Sequence, residues 1–288
     1  MNKKIMRNPV MIGLFIFFTI YALSILFVIL QGIAVSFMDG AYYGIIMFPT
    51  KAEHFYPQNY INAFTGIVIK GANDVNVTVV GMFINSLIYA GGTSVLGVLF
   101  CAITAYVTAK YKFPGRNFIY IYSIVVMMLP VVGTTAASIN FFKDVLHVKD
   151  TYFMIFMLAG SFGQNYVILY ATFKGVSWEY GEAAFVDGAG HFRVWWQIMM
   201  PQALSVMVAL FIVGFIGKWS DAETPILYMK ELPTLASGLA ELSSDSKAQG
   251  DMPMMFAAFV MSMIPLLILY AAFQETIMEI QLGGGLKG

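Results

Sequence analysis

Charged residues are scarce in this 288-residue chain, in which Asp, Glu, Lys and Arg make up 11% of the residues and hydrophobic residues 59%. With a mean hydropathy of +0.75, the composition is too apolar for a soluble domain of this length. It indicates an integral membrane protein. The 16 basic and 16 acidic residues balance, so no net positive charge points to nucleic acid.

Cysteine and histidine are almost absent. Cys101 is the single cysteine, so no disulfide can form within the chain. His54, His147 and His191 are far apart in sequence, and their spacing does not match a metal site. The sequence therefore predicts neither a disulfide framework nor a bound metal.

A phosphate-binding loop of the Walker type is also missing. Gly91 to Gly97 is rich in glycine but lacks the terminal Gly-Lys-Ser/Thr, and Gly283-Gly284-Gly285 is followed by Leu286. We therefore expect that the chain is not an enzyme and does not itself hydrolyse ATP. Glycines inside an apolar stretch more often let two helices approach closely.

Six long stretches contain no Asp, Glu, Lys or Arg. Each is long enough to cross a bilayer core of about 30 Å, which takes about 20 helical residues. Helices are expected because lipid offers no partner for an open backbone group, and the runs are too evenly apolar for barrel strands. The predicted spans are Asn8 to Met38, Val75 to Ala109, Asn117 to Phe142, Thr151 to Phe173, Val194 to Gly217 and Met252 to Gln274.

The lack of ionisable residues inside these spans argues against an ion-coupled transporter, in which Asp, Glu or His near the midplane usually binds the proton or cation. The energy for uphill transport would then be applied from outside the bilayer.

Short basic segments predict the orientation of the spans. Lys3, Lys4 and Arg7 precede the first span, and the loop from Lys110 to Arg116 carries cations without acids, which places both segments in the cytoplasm. Alternation then puts residues 177–201 and the tail, residues 275–288, in the cytoplasm as well. Both termini are expected to be cytoplasmic.

Two alternatives concern the N-terminal part. The basic start could belong to a secretory signal cleaved near Ala34-Val35-Ser36, but the apolar run is too long for a typical signal, and we favour a retained anchor. The aromatic segment from Tyr42 to Ile69, predicted to lie outside, favours short interfacial helices or a contact surface for an external partner.

The loop from Ser177 to Pro201 contains local helix signals. Ser177 is a good N-cap, and Glu179 and Glu182 place negative charge in the first turn. Gly188 marks an end, which predicts a helix from about Trp178 to Asp187.

That predicted helix has the composition of a docking element. Glu179 and Glu182 are three residues apart and project from one side, and Ala183 and Ala184 add no bulk beside them. A second helical piece is predicted from about His191 to Pro201. The alternative is a solvated loop that merely joins two spans.

The same loop resembles a known motif. Glu182-Ala183-Ala184, then Gly188, then Ile198-Met199-Met200-Pro201 are similar to the EAA loop of binding-protein-dependent ABC importer permeases, E-A-A-x3-G-x9-I-x-L-P. Only Met200 departs, a volume-conserving change from Leu.

Further matches resemble the maltose-permease (MalG-like) carbohydrate class. They are Asn85-Ser86-Leu87 for N-S-L, Ala105-Tyr106 with Tyr111 to Arg116 for A-Y-A-x-A-R-F-x-F-P-G-R, Trp219-Ser220-Asp221 for W-N-D, Thr234 to Leu239 for T-L-P-V-G-L, and Gly284 to Gly288 for G-A-V-K-G. Ser220 and Ile280 depart from the residues common in that class.

The resemblance implies an all-α integral membrane protein with six transmembrane helices and the type I, MetI/MalG-like permease fold, in the prokaryotic inner or plasma membrane. Implied partners are a second homologous permease, two ABC ATPase subunits and an extracellular solute-binding protein. ATP and Mg would be bound by the ATPases, and this chain would hold no cofactor. The implied ATPase-docking residues are Glu179, Glu182, Ala183, Ala184, Asp187, Gly188, Lys287 and Gly288.

A sugar pathway needs amide, hydroxyl and aromatic groups, and the spans offer Asn85, Tyr89, Asn140, Gln164, Asn165 and Tyr166. Each could instead bond a neighbouring helix. The expected function is a permease subunit of an ATP-driven importer for a carbohydrate. The alternatives are an importer for a polyol, glycerol phosphate or peptide, an autonomous secondary transporter, and a membrane sensor or assembly factor.

Overall fold

The computed structural model describes residues 9–70, 76–129, 133–244 and 252–283, with side chains described as far as Glu275. These ranges are mostly helical, and two short strands, β1 (Val68–Lys70) and β2 (Asn76–Thr78), form a two-stranded sheet. The α-helices are α1 (Pro9–Ser36), α2 (Gln58–Gly66), α3 (Val79–Lys110), α4 (Arg116–Met128), α5 (Thr135–Asn140), α6 (Met154–Ala159), α7 (Gln164–Gly175), α8 (Glu179–Val186), α9 (His191–Arg193), α10 (Met200–Trp219), α11 (Glu223–Tyr228), α12 (Leu235–Ser244) and α13 (Met252–Gly283).

Four helical stretches in the described part of the chain are long and apolar enough to cross a membrane. They are Pro9–Ser36, Val79–Lys110, His191–Trp219 and Met252–Glu275. These four stretches correspond to the predicted spans one, two, five and six. Each is a long run of apolar residues and good helix formers, which gives no local signal for the helix to end.

The predicted third and fourth spans are not continuous helices, which corrects the sequence prediction. In the third, α4 ends at Met128 and α5 begins at Thr135 before a π-helical segment, Phe141–Val145. In the fourth, α6 and α7 are separated by a break in which Gly160 and Gly163 have φ of +62° and +99°. Hydropathy detects apolar length, but it does not detect a glycine that leaves the helical region.

The fifth predicted span begins earlier than expected. Instead of a short helix that ends at Pro201, α9, a π-helical segment (Val194–Met199) and α10 form one continuous stretch. Pro201 has no N–H to donate to the carbonyl one turn earlier, and the wider turn just before it accommodates that missing bond.

Residues up to Val68 together with Leu239–Ile264 form one of two compact units. In it, the segment after α1 folds back on the end of that helix: the Asn59 amide donates to the carbonyls of Ser36 (3.0 Å) and Met38 (2.7 Å), and the hydroxyls of Ser36 and Tyr60 lie 2.7 Å apart. The predicted short helices are present here as α2 and the 3₁₀ segments Gly40–Tyr42 and Ala52–His54.

The second unit comprises Ile69–Gly238 and Pro265–Gly288. In it, α3 packs against α6, α7 and α10. Small residues make this packing close: a Cβ added at Gly97 would lie 2.6 Å from the carbonyl oxygen of Ala159. The glycine-rich stretch of α3 therefore has the helix-packing role expected from the sequence.

The core of this unit extends from the middle of α3 to α8 and the start of α10. Its buried residues include Ala102, Ala105 and Tyr106 of α3, Leu169 and Phe173 of α7, and Ala203 and Met207 of α10, with Ala184 of α8 and Met199 at one end. The loop predicted to dock a partner therefore rests directly on the helical bundle.

Candidate functional site

The helix α8 lies within one residue of its predicted limits. The backbone N–H of Glu179 donates to the Ser177 hydroxyl at 3.3 Å, and the N–H groups of Gly181 and Glu182 donate to the Trp178 carbonyl. The two acids lie in the first turn as expected, but the N-cap residue is Trp178, one residue after the predicted Ser177, and its side chain makes no capping bond.

One side of α8 is buried against the chain itself. A Cβ at Gly181 would lie 3.1 Å from the Trp178 ring and 3.3 Å from the terminal methyl of Met199. Ala184 is only 9% exposed and belongs to the core cluster. Its small size serves packing within this chain, and this corrects the expectation that Ala184 lies on the docking surface.

The turn after α8 is fixed by a paired hydrogen-bond motif. The N–H of Ala189 donates to the Ala184 carbonyl (2.9 Å), and the N–H of Gly188 donates to the Phe185 carbonyl (3.0 Å). Gly188 has φ of +81°, and an added Cβ would meet nothing within 4 Å. The requirement for glycine is therefore conformational rather than steric.

The opposite side of α8 is exposed. It presents Glu179, Glu182, Ala183 and Val186, followed by Asp187 and Gly188 in the turn. We call these six residues the α8 surface. Val186 is 87% exposed and was missed by sequence reasoning. Its helical spacing from Glu179 and Glu182 was the signal that could have identified it.

Side chains also tie the α8 region to the end of α3. The Tyr111 hydroxyl lies 2.9 Å from Nδ1 of His191, and Lys110 donates to the carbonyl of Val176. The ring of Tyr111 packs edge-on against Trp178. A displacement of α8 would therefore also displace the end of α3 and the helix that starts at His191.

Three of the six pathway candidates are hydrogen-bonded inside the second unit. The Asn85 amide donates to the Pro233 carbonyl (3.0 Å) and accepts from the Tyr152 hydroxyl (2.7 Å). The Tyr166 hydroxyl lies 2.8 Å from that of Thr108. The Tyr89 hydroxyl donates to Asp221 at 2.9 Å.

The other three candidates are differently placed. Asn140 and Gln164 are exposed on this chain, and Asn165 is half-buried beside a cleft bounded by α3 and α10. The six residues are therefore not brought together into one site.

Two of the sequence motifs meet in the structure. Besides the bond from Asn85 to Pro233, the N–H of Leu235 donates to the Ser86 hydroxyl at 2.8 Å. A Cβ at Gly238 would lie 2.2 Å from the sulfur of Met82. The Asn-Ser pair at the start of α3 thus holds the start of α12, where Gly238 permits close approach.

Asp221, the last residue of the Trp219-Ser220-Asp221 motif, is held in its ionised form. Burial works against its charge, but hydrogen bonds from Thr224 and Tyr89, together with the Lys218 ammonium 3.4 Å away, outweigh that effect and keep the pKa of this carboxyl below its usual value. Asp221 therefore stays charged near neutral pH.

Several expected features lie beyond the residues that the structure describes. They are the basic residues Lys3, Lys4 and Arg7 and the tail residues Lys287 and Gly288. Within the described ranges, no group of three or more His, Cys, Asp or Glu side chains could hold a metal ion.

Comparison with known families identifies the class of protein. The family described as binding-protein-dependent transport system inner membrane component matches residues 97–278. Because that match covers more than half of the sequence, the chain belongs to this family. It is a multi-pass inner membrane permease component of an ABC importer, a class that works with a binding protein and an ATPase, as the motifs indicated.

Relatives of named function are similar over most of their length. The diacetylchitobiose uptake system permease protein NgcG of Streptomyces coelicolor is 30% identical over 231 residues, which cover 78% of this chain and 72% of that protein. The arabinooligosaccharides transport system permease protein AraQ of Bacillus subtilis is 28% identical, with 72% and 73% covered. The sn-glycerol-3-phosphate transport system permease protein UgpE of Yersinia pestis is 26% identical, with 67% and 69% covered.

A solved structure has the same fold. A chain of a bacterial ABC transporter involved in the import of the acidic polysaccharide alginate superposes with a TM-score of 0.74 at 18% sequence identity, covering 93% of this chain and 97% of that chain. The predicted all-α membrane permease fold is confirmed.

Proposed function

We propose that this chain is a permease subunit of an ATP-driven importer for a carbohydrate and that the α8 surface docks on an ATPase. The observation that supports docking most strongly is the exposed row of Glu179, Glu182 and Val186 on a helix whose other side is fixed to the bundle. Acids beside an exposed apolar residue suit a partner groove that is basic at its rim and apolar in its centre.

The packing behind α8 supports a mechanism of coupling. Closure of the ATPase pair would move α8, and its contacts through Trp178, Met199 and Tyr111 would pass that movement to α3 and α10. Rotation of these helices as a rigid group would then alternate access to the pathway.

The proposed assembly contains one copy of this chain, a second and different permease, two ATPase subunits and an external binding protein. ATP and Mg would reside in the ATPases. The α8 surface and both termini would face the cytoplasm, and Lys287 and Gly288 of the tail would make a second contact with the ATPase pair.

The nature of the relatives supports a carbohydrate as the solute, since NgcG and AraQ are permeases for oligosaccharides by name. The similarity to UgpE favours sn-glycerol 3-phosphate as a second candidate. The two differ in charge, so a direct comparison of solutes separates them.

The experiment uses the complex purified with this tagged chain from its native membrane and reconstituted with its binding protein. ATP hydrolysis is measured with diacetylchitobiose, arabinotriose and sn-glycerol 3-phosphate. We expect one of the two neutral sugars to stimulate hydrolysis above the basal rate. Stimulation by sn-glycerol 3-phosphate alone would replace the carbohydrate assignment, and a chain that purifies without an ATPase would overturn the importer assignment.

A further inference from the structure

A cleft of about 370 Å³ with both polar and apolar lining residues lies within the second unit, between α3, the break that separates α6 from α7, and α10. That volume falls in the range of small-molecule sites, about 300–1,000 Å³. Its floor is made largely of small residues, among them Gly97, Gly214 and Gly217, so that backbone and short polar side chains face the space.

Ser94 is the exceptional hydroxyl of this cleft. Other hydroxyls of α3 donate to the carbonyl one turn earlier, Ser86 to Met82 at 2.9 Å and Thr104 to Phe100 at 2.6 Å. Ser94 is only 6% exposed, yet its Oγ has no hydrogen-bond partner in the described part of the chain. A buried hydroxyl left unpaired is costly, about 1–3 kcal/mol, and the cleft is where a partner can be.

Asn165 is a second polar group on the cleft. It lies in the first turn of α7, directly after the break at Gly160 and Gly163, and its side chain makes no hydrogen bond within the described residues. Irregular backbone at membrane depth is tolerated where it lines a cavity, and interrupted helices often surround a transported solute.

Space and charge define what the cleft could hold. A Cβ added at Gly214 would lie 3.4 Å from the Ser94 Oγ, so a larger residue at this position would pack against that hydroxyl. The two charged residues of the lining, Lys218 and Asp221, pair with each other at 3.4 Å. The cleft therefore offers hydrogen bonds without an unpaired charge.

We infer that this cleft binds a neutral sugar unit during transport, with the Ser94 hydroxyl and the Asn165 amide as hydrogen-bond partners for its hydroxyl groups. The inference rests on the proposed function and extends it, because it assigns direct solute contact to this chain. A phosphorylated solute does not fit, since its charge would be left without a partner here.

The test measures uptake of radiolabelled diacetylchitobiose and arabinotriose into liposomes that contain the whole complex with its binding protein. Ser94→Ala and Asn165→Ala each remove a hydrogen-bonding group, and Gly214→Ala fills the space beside Ser94. We expect each variant to lower kcat/KM for uptake of the imported sugar about 2- to 10-fold, as loss of one hydrogen bond does. Basal ATP hydrolysis should stay unchanged.

Two matched control substitutions lie on α3, the helix that carries Ser94. Thr104→Val removes a hydroxyl that is satisfied within α3, and Gly91→Ala adds a methyl group where nothing lies within 4 Å. Both should import sugar like the wild type.

The outcomes separate this inference from the proposed function. Normal uptake by all three cleft variants would overturn the inference alone, since the cleft would then hold only water. Failure of the wild type to import either sugar, or import of sn-glycerol 3-phosphate alone, would overturn both.

A second readout guards against misfolding of the alanine variants. Asn165→Cys in a Cys101→Ser background is alkylated with N-ethylmaleimide in the presence and absence of the imported sugar. Protection by that sugar is expected, and an unchanged alkylation rate would contradict the inference.

Discussion

At the residue scale, the small residues of α8 and of the turn after it have different roles. Ala183 is exposed, whereas Ala184 is buried in the core, and a Cβ added at Gly181 would lie 3.1 Å from the Trp178 ring. Gly188 is required by its backbone angle. Substitutions at these residues should therefore impair the protein for different physical reasons.

Reversing the charge of Glu182 tests the docking role directly. Glu182→Lys should assemble poorly with the ATPase or hydrolyse ATP without transport, because a like charge would face the rim that Glu182 is proposed to contact. We expect sugar uptake to fall at least about 10-fold, which corresponds to about 1.4 kcal/mol of coupling. Uptake into liposomes and ATP hydrolysis are measured on the same preparation.

Glu241→Lys is the matched control, since it makes the same change at an exposed position of α12. Normal uptake by Glu182→Lys would remove the basis for the docking assignment. Gly188→Asp should resemble Glu182→Lys, because it adds both strain and charge to the same surface.

Gly188→Ala tests the turn without changing charge. An alanine held at positive φ costs about 1–2 kcal/mol, so this variant should lower the apparent Tm of the purified complex and weaken coupling. Gly190→Ala serves as the control, because Gly190 has φ of −76° and open space around it. Equal melting temperatures for the two variants would show that the turn does not need a left-handed residue.

At the element scale, the sequence predicted the features that depend on neighbouring residues but not those that depend on distant packing. The start and end of α8 were predictable because Ser177, Glu179 and Gly188 act within a few residues. The breaks in the third and fourth spans were not, because hydropathy counts charge and apolar length only. Gly160 and Gly163 were visible, but a glycine in a span more often serves packing, as Gly97 does.

The residues of the candidate site also divide into those that local spacing predicts and those that depend on distant packing. The exposed acids of α8 follow from helical spacing, whereas the burial of Ala184 depends on the core formed by α3, α7 and α10. Likewise, the link between Ser86 and Leu235 joins residues 149 positions apart, and no local pattern reports it.

The contact between α3 and α6 should be sensitive to a single methyl group. Gly97→Ala places a Cβ 2.6 Å from the Ala159 carbonyl oxygen, and a backbone atom cannot move away easily. Overpacking of this kind costs about 1–3 kcal/mol. A thermal melt in detergent should show a clearly lower apparent Tm for Gly97→Ala, while Gly91→Ala melts like the wild type; equal melts would contradict the packing seen here.

The link between α3 and the start of α9 should matter for coupling more than for stability. Tyr111→Phe removes the hydroxyl that contacts His191 and Tyr106 but keeps the ring that packs on Trp178. We expect fewer sugar molecules imported per ATP hydrolysed with nearly unchanged assembly, since a net hydrogen bond contributes about 1 kcal/mol. An unchanged ratio would exclude this link as a route of coupling.

At the scale of the whole molecule, the chain is a membrane helix bundle with few charges of its own and no phosphate-binding loop in its sequence. The Asp, Glu, Lys, Arg and His residues of the described spans all lie at or near the ends of those spans, and they are Lys110, His191, Arg193, Lys218 and Glu275. Permeases of this family work with an ATPase, and the α8 surface is the place proposed for that contact.

The most direct test of this account is photo-cross-linking from Val186. Val186→p-benzoylphenylalanine in the native complex should give a covalent adduct with the ATPase subunit on irradiation, identified by mass spectrometry. The same probe at Ile45, which is 75% exposed on the segment predicted to lie outside, should give none. An intact complex in which Val186 yields no ATPase adduct, or in which Ile45 yields one, would contradict both the docking surface and the proposed orientation.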